Sequence, residues 1–290
     1  MIPTYKKIGA LQVVDSTTQT FTIHDRYRLQ GIDLWLNNAA GDSPTSSSYR
    51  SGAIGDVRII ANGETIQQFT PGYENEGRNW YNYHTNVNIG EAGNVSARFS
   101  DPALYSRGFG LEAYAHSALA TAGLEDLRIE IDWTSIAKSA LYVARAEVWL
   151  IGDPNDATPY KGTPHRRTEY RKIPPFDTGA GLQTISLDVT RRRLIKAIFW
   201  TDDDFNTVAL WGINNAGQRI ELISTIDEQQ LENHQKRSGR DYNTNFVGLD
   251  FDLWHTGAGL WTPEWQQLNL EIEWTGAPSG NIHTDYVFTP

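Results

Sequence analysis

The segments LRIEIDW, at residues 127–133, and LNLEIEW, at residues 268–274, decide the fold of this chain. In both, apolar and polar residues alternate, as in a β-strand with one face in a core and the other in water. The longer stretches LEDLRIEIDWT, at 124–134, and WQQLNLEIEWT, at 265–275, align without a gap and carry Trp133 and Trp274 at the same position. One strand-forming unit therefore occurs twice.

A second pair of matching blocks lies upstream of the first. Residues 19–36 read QTFTIHDRYRLQGIDLWL, and residues 183–200 read QTISLDVTRRRLIKAIFW. Two blocks that recur in the same order, more than about 50 residues apart, indicate a duplicated domain rather than a solenoid. We predict an all-β chain with an N-terminal domain at 1–152, a linker at 153–164 and a C-terminal domain at 165–290.

Turn signals and short helical patterns refine this prediction. Residues 56–69 read as a hairpin around Asn62-Gly63, and residues 208–223 repeat it around a turn at 214–217. An acidic start and a basic end predict a short helix at 227–236. Further short helical turns are predicted at 111–122 and 135–140, and long irregular segments at 38–55, 75–105 and 255–263.

Composition excludes several classes of function. The chain has 290 residues and no cysteine, so it has neither disulfides nor thiolate chemistry. Its net charge of −10 disfavours general nucleic-acid binding. Its first residues do not have the apolar stretch of a signal peptide, and no apolar run approaches about 18 residues.

Histidines and carboxylates are the candidate catalytic or metal-binding residues of the sequence. No HExxH or GxSxG motif is present, and the seven histidines are scattered: His24, His84, His116, His165, His234, His255 and His283. The run Asp202–Asp203–Asp204 is expected to be a solvated turn rather than a calcium site. Glu130, Asp132, Glu271 and Glu273 alternate with core residues, which predicts outward-facing positions on strands. We therefore predict no enzyme activity and assign no catalytic, cofactor-binding or metal-binding residue.

Aromatic and basic residues suggest interfaces. Trp133 and Trp274 are in phase with aliphatic residues and are predicted to lie in the two cores. Other tryptophans sit in less regular segments and could contact sugars or, as we prefer, neighbouring subunits: Trp80, Trp254, Trp261 and Trp265. Two basic clusters are interpreted as contacts to acidic partners or as braces between domains: Arg166, Arg167, Arg171 and Lys172, and Arg191, Arg192 and Arg193.

Two tandem β-domains joined by HRRTEYRKI and followed by RLIKAIFW resemble the double jelly-roll major capsid proteins. The order YRLQGIDLWL, DVRIIANGETIQQF, LRIEIDW is similar to the first barrel of the small capsid proteins of tailless, membrane-containing icosahedral bacteriophages, the corticovirus type and its marine relatives. RLIKAIFW, RIELISTIDEQQLENHQ and LNLEIEWTG are similar to the second barrel. The resemblance covers nearly the whole chain, but the insertion at 38–55 departs from it.

This resemblance implies two eight-stranded jelly rolls, pseudo-hexagonal homotrimers, and an icosahedral shell around an internal membrane. It also implies location in the virion after assembly in the host cytoplasm. The partners would be other copies of the chain, minor capsid, vertex and membrane proteins, and no nucleic acid directly. Lipid contact would be peripheral at most, with Lys6 and Lys7 as candidates. The alternatives are a carbohydrate-binding or adhesion β-sandwich and a two-jelly-roll glycan hydrolase.

Overall fold

The computed structural model describes residues 4–38, 52–71, 94–99, 118–135, 143–153, 167–173, 180–190, 193–200, 205–237, 246–251, 260–276 and 282–288. The chain forms two compact units. One consists of residues 1–171 with 289–290, and the other of residues 172–288.

The first unit is a jelly roll made of two antiparallel sheets. One sheet has the order β1-β9-β3-β6, with β7 beside β3, and the other has the order β2-β8-β4-β5. Apart from the β4-β5 hairpin and the pair β6 and β7, successive strands thus alternate between the two sheets, as in a jelly roll. The strands are β1 (Thr4–Gln12), β2 (Thr18–Thr22), β3 (Arg28–Asn38), β4 (Ile54–Ala61), β5 (Glu64–Phe69), β6 (Asn94–Arg98), β7 (Leu119–Ala120), β8 (Leu127–Trp133) and β9 (Val143–Asp153).

The second unit repeats this order. Its sheet β11-β17-β13-β14 corresponds to β2-β8-β4-β5, and β15-β12-β18, with β16 beside β12, corresponds to β6-β3-β9. The prediction of two tandem jelly rolls is confirmed. The elements are β10 (Arg167–Ile173), which crosses the sequence boundary between the units, β11 (Gly181–Leu187), β12 (Arg193–Trp200), β13 (Phe205–Asn214), β14 (Arg219–Asp227), α1 (Glu228–Arg237), β15 (Phe246–Asp250), β16 (Leu260–Trp261), β17 (Trp265–Trp274) and β18 (Ile282–Phe288).

The repeated sequence blocks occupy equivalent places in the two units. Thr20 pairs with Glu130 between β2 and β8, and Thr184 pairs with Glu271 between β11 and β17. On the other side, Trp133 pairs with Ile54 of β4 and Trp274 pairs with Phe205 of β13. The sequence match at 124–134 and 265–275 is therefore also a match in strand register.

Each unit has its own apolar core, and the repeated tryptophans lie in these cores as predicted. Trp133 is 4% exposed and Trp274 is 1% exposed. Both belong to clusters of buried side chains contributed mainly by the alternating apolar positions of the strands. The Trp133 indole Nε1 also donates a hydrogen bond to Gln19 Oε1 at 2.9 Å. The buried polar end of this indole is thus satisfied from the neighbouring strand.

The predicted hairpin turn and helix are confirmed. Asn62 and Gly63 have φ angles of 50° and 81°, the left-handed conformations that a tight two-residue hairpin needs. At the start of α1, Asp227 Oδ1 accepts from Gln230 N at 2.8 Å, and Asp227 N donates to Gln230 Oε1 at 3.0 Å. This reciprocal capping fixes the first helical turn. Buried Leu231 and Gln235 hold the inner side of the helix against its unit.

Several predicted irregular or helical segments contain strands. The segment 75–105 includes β6, and Phe99 at its end is 4% exposed. Strand β4 begins at Ile54, within the predicted excursion 38–55. Residues 119–120, predicted as helical, form β7, while 111–117 and 136–140 lie outside the described residues. Residues 260–264 form β16 and a 3-10 turn. In the described part of the chain, no helix is long and apolar enough to cross a membrane.

Candidate functional site

Glu130 and Asp132 of β8, two of the four candidate catalytic carboxylates, belong to an ion network on the outer face of the first unit. Arg58 of β4 donates two hydrogen bonds to Asp132, from Nη1 and Nη2, each at 2.9 Å. Its Nε lies 3.3 Å from Glu130 Oε2, and Arg128 Nε lies 3.3 Å from Glu130 Oε1. Thr18 Oγ1 donates to Asp132 at 2.6 Å. Both carboxylates are outward-facing, as predicted, and both are engaged by arginine side chains.

Among the described residues, the equivalent carboxylates of β17 form no such network. Glu273 accepts a hydrogen bond from Thr207 Oγ1 at 3.2 Å. The residue that pairs with Glu271 on β13 is Ala209, where the first unit has Arg58 opposite Glu130.

The three histidines in the described residues lie on different segments of the chain. His24 lies between β2 and β3 in the first unit, and His234 and His283 lie on α1 and β18 in the second. The other four histidines and Asp202–Asp203–Asp204 fall outside the described residues. Within the described ranges, no group of three or more histidine and carboxylate side chains could hold a metal ion.

A polar and aromatic cluster that the sequence did not reveal covers one face of the sheet β1-β9-β3-β6. Tyr5 stacks on Trp149, with ring centroids 4.7 Å apart and planes inclined by 18°. The Trp35 indole donates a hydrogen bond to the Tyr5 hydroxyl. Burial, helped by the charge of nearby Asp33, raises the pKa of Tyr5 to about 12. The phenol therefore stays protonated at physiological pH.

The same face includes a buried ion pair. Asp33 is 3% exposed, accepts a hydrogen bond from Ser96 Oγ at 2.6 Å, and lies 3.4 Å from Arg98 Nη2. Asp33 alternates with buried Ile32 and Leu34, so its side chain points away from the jelly-roll core. Its burial shows that this outer face is covered. A buried charge of this kind requires the partners that β6 supplies.

Lys6 and Lys7, predicted as candidates for lipid contact, are both engaged with carboxylates. Lys6 Nζ lies 3.4 Å from Asp25 and 5.8 Å from the centre of the Tyr27 ring, and contacts with Tyr27 and then Asp25 raise its pKa. Lys7 Nζ donates to Glu147 Oε1 at 2.5 Å, which lowers the pKa of Glu147. Any lipid contact by these lysines would compete with these interactions.

The tryptophans predicted at interfaces divide into two groups. Trp261 is 36% exposed, in agreement with the prediction, whereas Trp265 is partly buried and packs against the second core. The Trp265 ring lies over Gly212, where a Cβ atom would come within 2.4 Å of Trp265 Cε3. Trp265 is therefore a partly buried residue that packs against the second core rather than an exposed one. Trp80 and Trp254 lie outside the described residues.

The remaining features of the surface are an exposed leucine, a cation–π contact and the two basic clusters. Leu182, on strand β11, is 65% exposed and is the most exposed of the large apolar side chains in the described structure. Arg219 lies 4.2 Å from the Trp211 ring in a cation–π contact. Of the basic clusters, Arg167, Arg171 and Lys172 are in β10, and Arg193 begins β12. Arg166, Arg191 and Arg192 lie outside the described residues.

Comparison with known proteins gives matches in structure but not in sequence. No family model matches the chain, and no curated protein sequence matches it. Among solved structures, the chain is similar to the major capsid protein P2 from bacteriophage PM2, with a TM-score of 0.70 and 16% identity, covering 100% of this chain and 98% of that one. It is also similar to a chain of Sulfolobus Turreted Icosahedral Virus, with a TM-score of 0.67 and 11% identity, covering 99% and 91%.

A third similar structure is the capsid of the virus PBCV-1, with a TM-score of 0.58 and 12% identity, covering 99% of this chain and 94% of that one. At these identities the comparison shows the fold. The similarity covers 99% or more of this chain in each case and so spans both jelly rolls. The predicted resemblance is confirmed, and the chain has the double jelly-roll fold of these viral major capsid proteins.

Proposed function

We propose that the protein is a structural major capsid protein. The observation that carries this proposal is the coverage of the similarity: two complete jelly rolls in one chain match essentially the entire length of the major capsid protein of bacteriophage PM2. A single jelly roll occurs with many functions. Two in tandem, with matched register and without a catalytic constellation in the described residues, support a role in assembly.

The proposed assembly is a homotrimer with a pseudo-hexagonal outline. Two similar jelly rolls per chain give six similar units per trimer, and six-sided outlines pack closely in a plane. Trimers would tile an icosahedral shell around an internal membrane, with minor capsid, vertex and membrane proteins as further partners. The protein would then reside in the virion after assembly in the host cytoplasm. We assign the linker between the jelly rolls to residues 153–164.

Size in solution tests the proposal most directly. We expect light scattering on the purified chain to give three times the 32.6 kDa mass of one chain, and electron microscopy to show six-sided particles. A stable monomer at high concentration would contradict it. The glycan-binding alternatives predict instead a monomer that releases heat when titrated with sugars.

Exposed Leu182 offers a sharper test of the assembly. A 65% exposed leucine on an edge strand is a candidate contact between chains. We expect Leu182→Asp to shift the trimer toward monomer, whereas Thr184→Asp, at an exposed position two residues along the same strand, should leave it unchanged. Equal effects of the two changes would mean that β11 does not contribute an apolar contact.

Peripheral membrane contact through Lys6 and Lys7 is a further part of the proposed assembly. Each lysine contributes about 1 kcal/mol at an anionic surface, so only a lattice of many copies would bind. We expect assembled shells to sediment with anionic vesicles, and a Lys6→Glu/Lys7→Glu variant to do so less. Unchanged sedimentation of the variant would reject a role for these lysines.

A further inference from the structure

Strands β1 and β14 each end a sheet with one edge open. Among the described strands, β1 pairs only with β9, and β14 pairs only with β13. Neither strand contains a buried residue, and Tyr5 of β1 and Ile220 of β14 are 46% and 39% exposed. An open edge carries unpaired backbone N–H and C=O groups, which can pair with a strand of another chain.

The equivalent of the β14 edge is covered elsewhere in the chain. Strand β5 corresponds to β14 in sheet order, and β10 runs parallel to β5 with Tyr170 opposite Gln67. In contrast with β14, strand β5 has three fully buried residues, Ile66, Gln67 and Phe69. An edge at this place in the jelly roll therefore accepts a parallel strand.

Strand β1 is the equivalent of the covering strand β10. Residues 5–8 read YKKI and residues 170–173 read YRKI, so Tyr5 aligns with Tyr170. Strand order agrees, because β1 lies beside β9 and precedes β2, while β10 lies beside β18 and precedes β11. The chain thus contains two copies of the covering strand and two copies of the accepting edge. In the described structure, only β10 and β5 are paired with each other.

We propose that β1 of one copy of the chain pairs in parallel with β14 of the next copy, as β10 pairs with β5 within a chain. This inference rests on the proposed homotrimer. Head-to-tail contacts between identical chains close into a ring when the rotation between neighbours fits. A ring of three copies would then contain the same strand pairing six times, three times within chains and three times between them.

The register of the proposed pairing follows from the neighbouring strands. Gln67 of β5 pairs with Ile59 of β4, and Ile223 of β14 pairs with Leu210 of β13. These two pairs are equivalent, because β4 and β13 are in matched register with β8 and β17. Tyr5 of one copy should therefore lie opposite Ile223 of the next copy.

Disulfide trapping in the full chain tests this register, because the chain has no cysteine of its own. One residue further along both strands, Lys6 lies opposite Ser224, and both are exposed. Opposite residues on neighbouring strands are about 4.8 Å apart, within reach of a disulfide. We expect mild oxidation of Lys6→Cys/Ser224→Cys to give covalent dimers and trimers on a non-reducing denaturing gel, and a reducing agent to remove them.

Lys6→Cys/Glu221→Cys is the matched control, since Glu221 is exposed on the same strand about 10 Å from Ser224. It should give at least about fivefold less cross-linked product, because the two sulfur atoms cannot meet in the proposed register. The single variants Lys6→Cys and Ser224→Cys should give none, since head-to-tail contacts do not bring two copies of one position together. Lys7→Cys/Thr225→Cys repeats the trapping if the first double variant does not fold.

Light scattering before oxidation separates failure of this pairing from failure of the proposed trimer. Trimers that do not cross-link, or that cross-link equally in the control, would overturn the pairing and leave the trimer standing. Covalent dimers of a single variant, or covalent products larger than a trimer, would also overturn it. A monomer would contradict the proposed function and this pairing together.

Discussion

The sheet β2-β8-β4-β5 of the first unit and the sheet β11-β17-β13-β14 of the second share strand order and register, so their residues can be compared one by one. On the outer face, Arg58 pairs with Glu130 in the first sheet, while Ala209 pairs with Glu271 in the second. Asn269 stands where the first sheet has Arg128, and its Oδ1 accepts a hydrogen bond from Ser186 Oγ at 3.2 Å. At these positions the described contacts of the second sheet are hydrogen bonds from neutral donors, where the first sheet has an ion network.

On the inner faces, two equivalent positions are occupied by different residues in the two units. Ala61 of β4 corresponds to Gly212 by strand register, and Leu124 corresponds to Trp265 by sequence alignment. The Trp265 ring fits because Gly212 has no side chain. The methyl group missing at Gly212 leaves space for part of the larger ring, as expected for a closely packed interior.

The largest expected effect comes from the residues that the two units share. Trp133→Ala and Trp274→Ala should each lower the free energy of unfolding of the affected jelly roll by about 3–5 kcal/mol, because each removes a buried indole and leaves a cavity. Urea unfolding monitored by fluorescence and circular dichroism would measure this. Costs that differ by more than about 2 kcal/mol would show that the two positions are not energetically equivalent.

The exchanged pair can be tested by transferring one unit's residues to the other. Gly212→Ala should cost about 1–3 kcal/mol, because its Cβ would lie 2.4 Å from Trp265 Cε3. The double change Gly212→Ala/Trp265→Leu, which copies the first unit, should cost less than the sum of the two single changes. A double-mutant cycle measures this coupling. Additive costs would mean that Trp265 moves aside freely.

The outer-face network should have a smaller effect. Arg58→Ala leaves Asp132 and Glu130 without their main cation and should cost about 1–2 kcal/mol, with a smaller loss at high salt. Thr207→Ala, which removes the neutral donor to Glu273 in the second sheet, should cost about 0.5 kcal/mol or less. Equal costs at low salt would contradict the contrast between the two sheets.

The sequence predicted the parts of this comparison that depend on local alternation. Trp133 and Trp274 were identified as core residues because they are in phase with neighbouring aliphatic residues. The position of Asn62-Gly63 identified the hairpin because the turn requires positive φ at both residues. These signals lie within a few residues of the features they predict.

Features set by residues distant in the chain were not predicted. Strand β6 was read as part of an irregular segment because its Asn94 and Ser96 are polar, yet both are buried and Ser96 donates to Asp33, 63 residues away. Trp265 is expected at the surface from its irregular segment, yet it packs against the second core and over Gly212, 53 residues away in the chain. Alternation shows that one face of a strand is apolar, but not whether the other face is covered.

The smallest expected effect concerns pH and the carboxylates of the first unit. The hydrogen bond from Lys7 holds the pKa of Glu147 below its ordinary value. The stability that the ionised Glu147 carboxylate contributes is therefore fully present above its unfolded pKa of about 4.3. This stability is lost as pH falls through the lower pKa of the folded protein. Glu147→Gln should cost about 0.5–1 kcal/mol at pH 7, since Lys7 is partly exposed, and almost nothing at low pH, where the wild-type carboxyl is also neutral. Urea unfolding at both pH values measures the difference.

Glu232→Gln, which removes an exposed pair with Lys236 in the second unit, is the control and should change stability little at either pH. If the cost of Glu147→Gln is the same at both pH values, its origin is packing rather than charge, and the electrostatic contrast between the two jelly rolls rests on Arg58 alone.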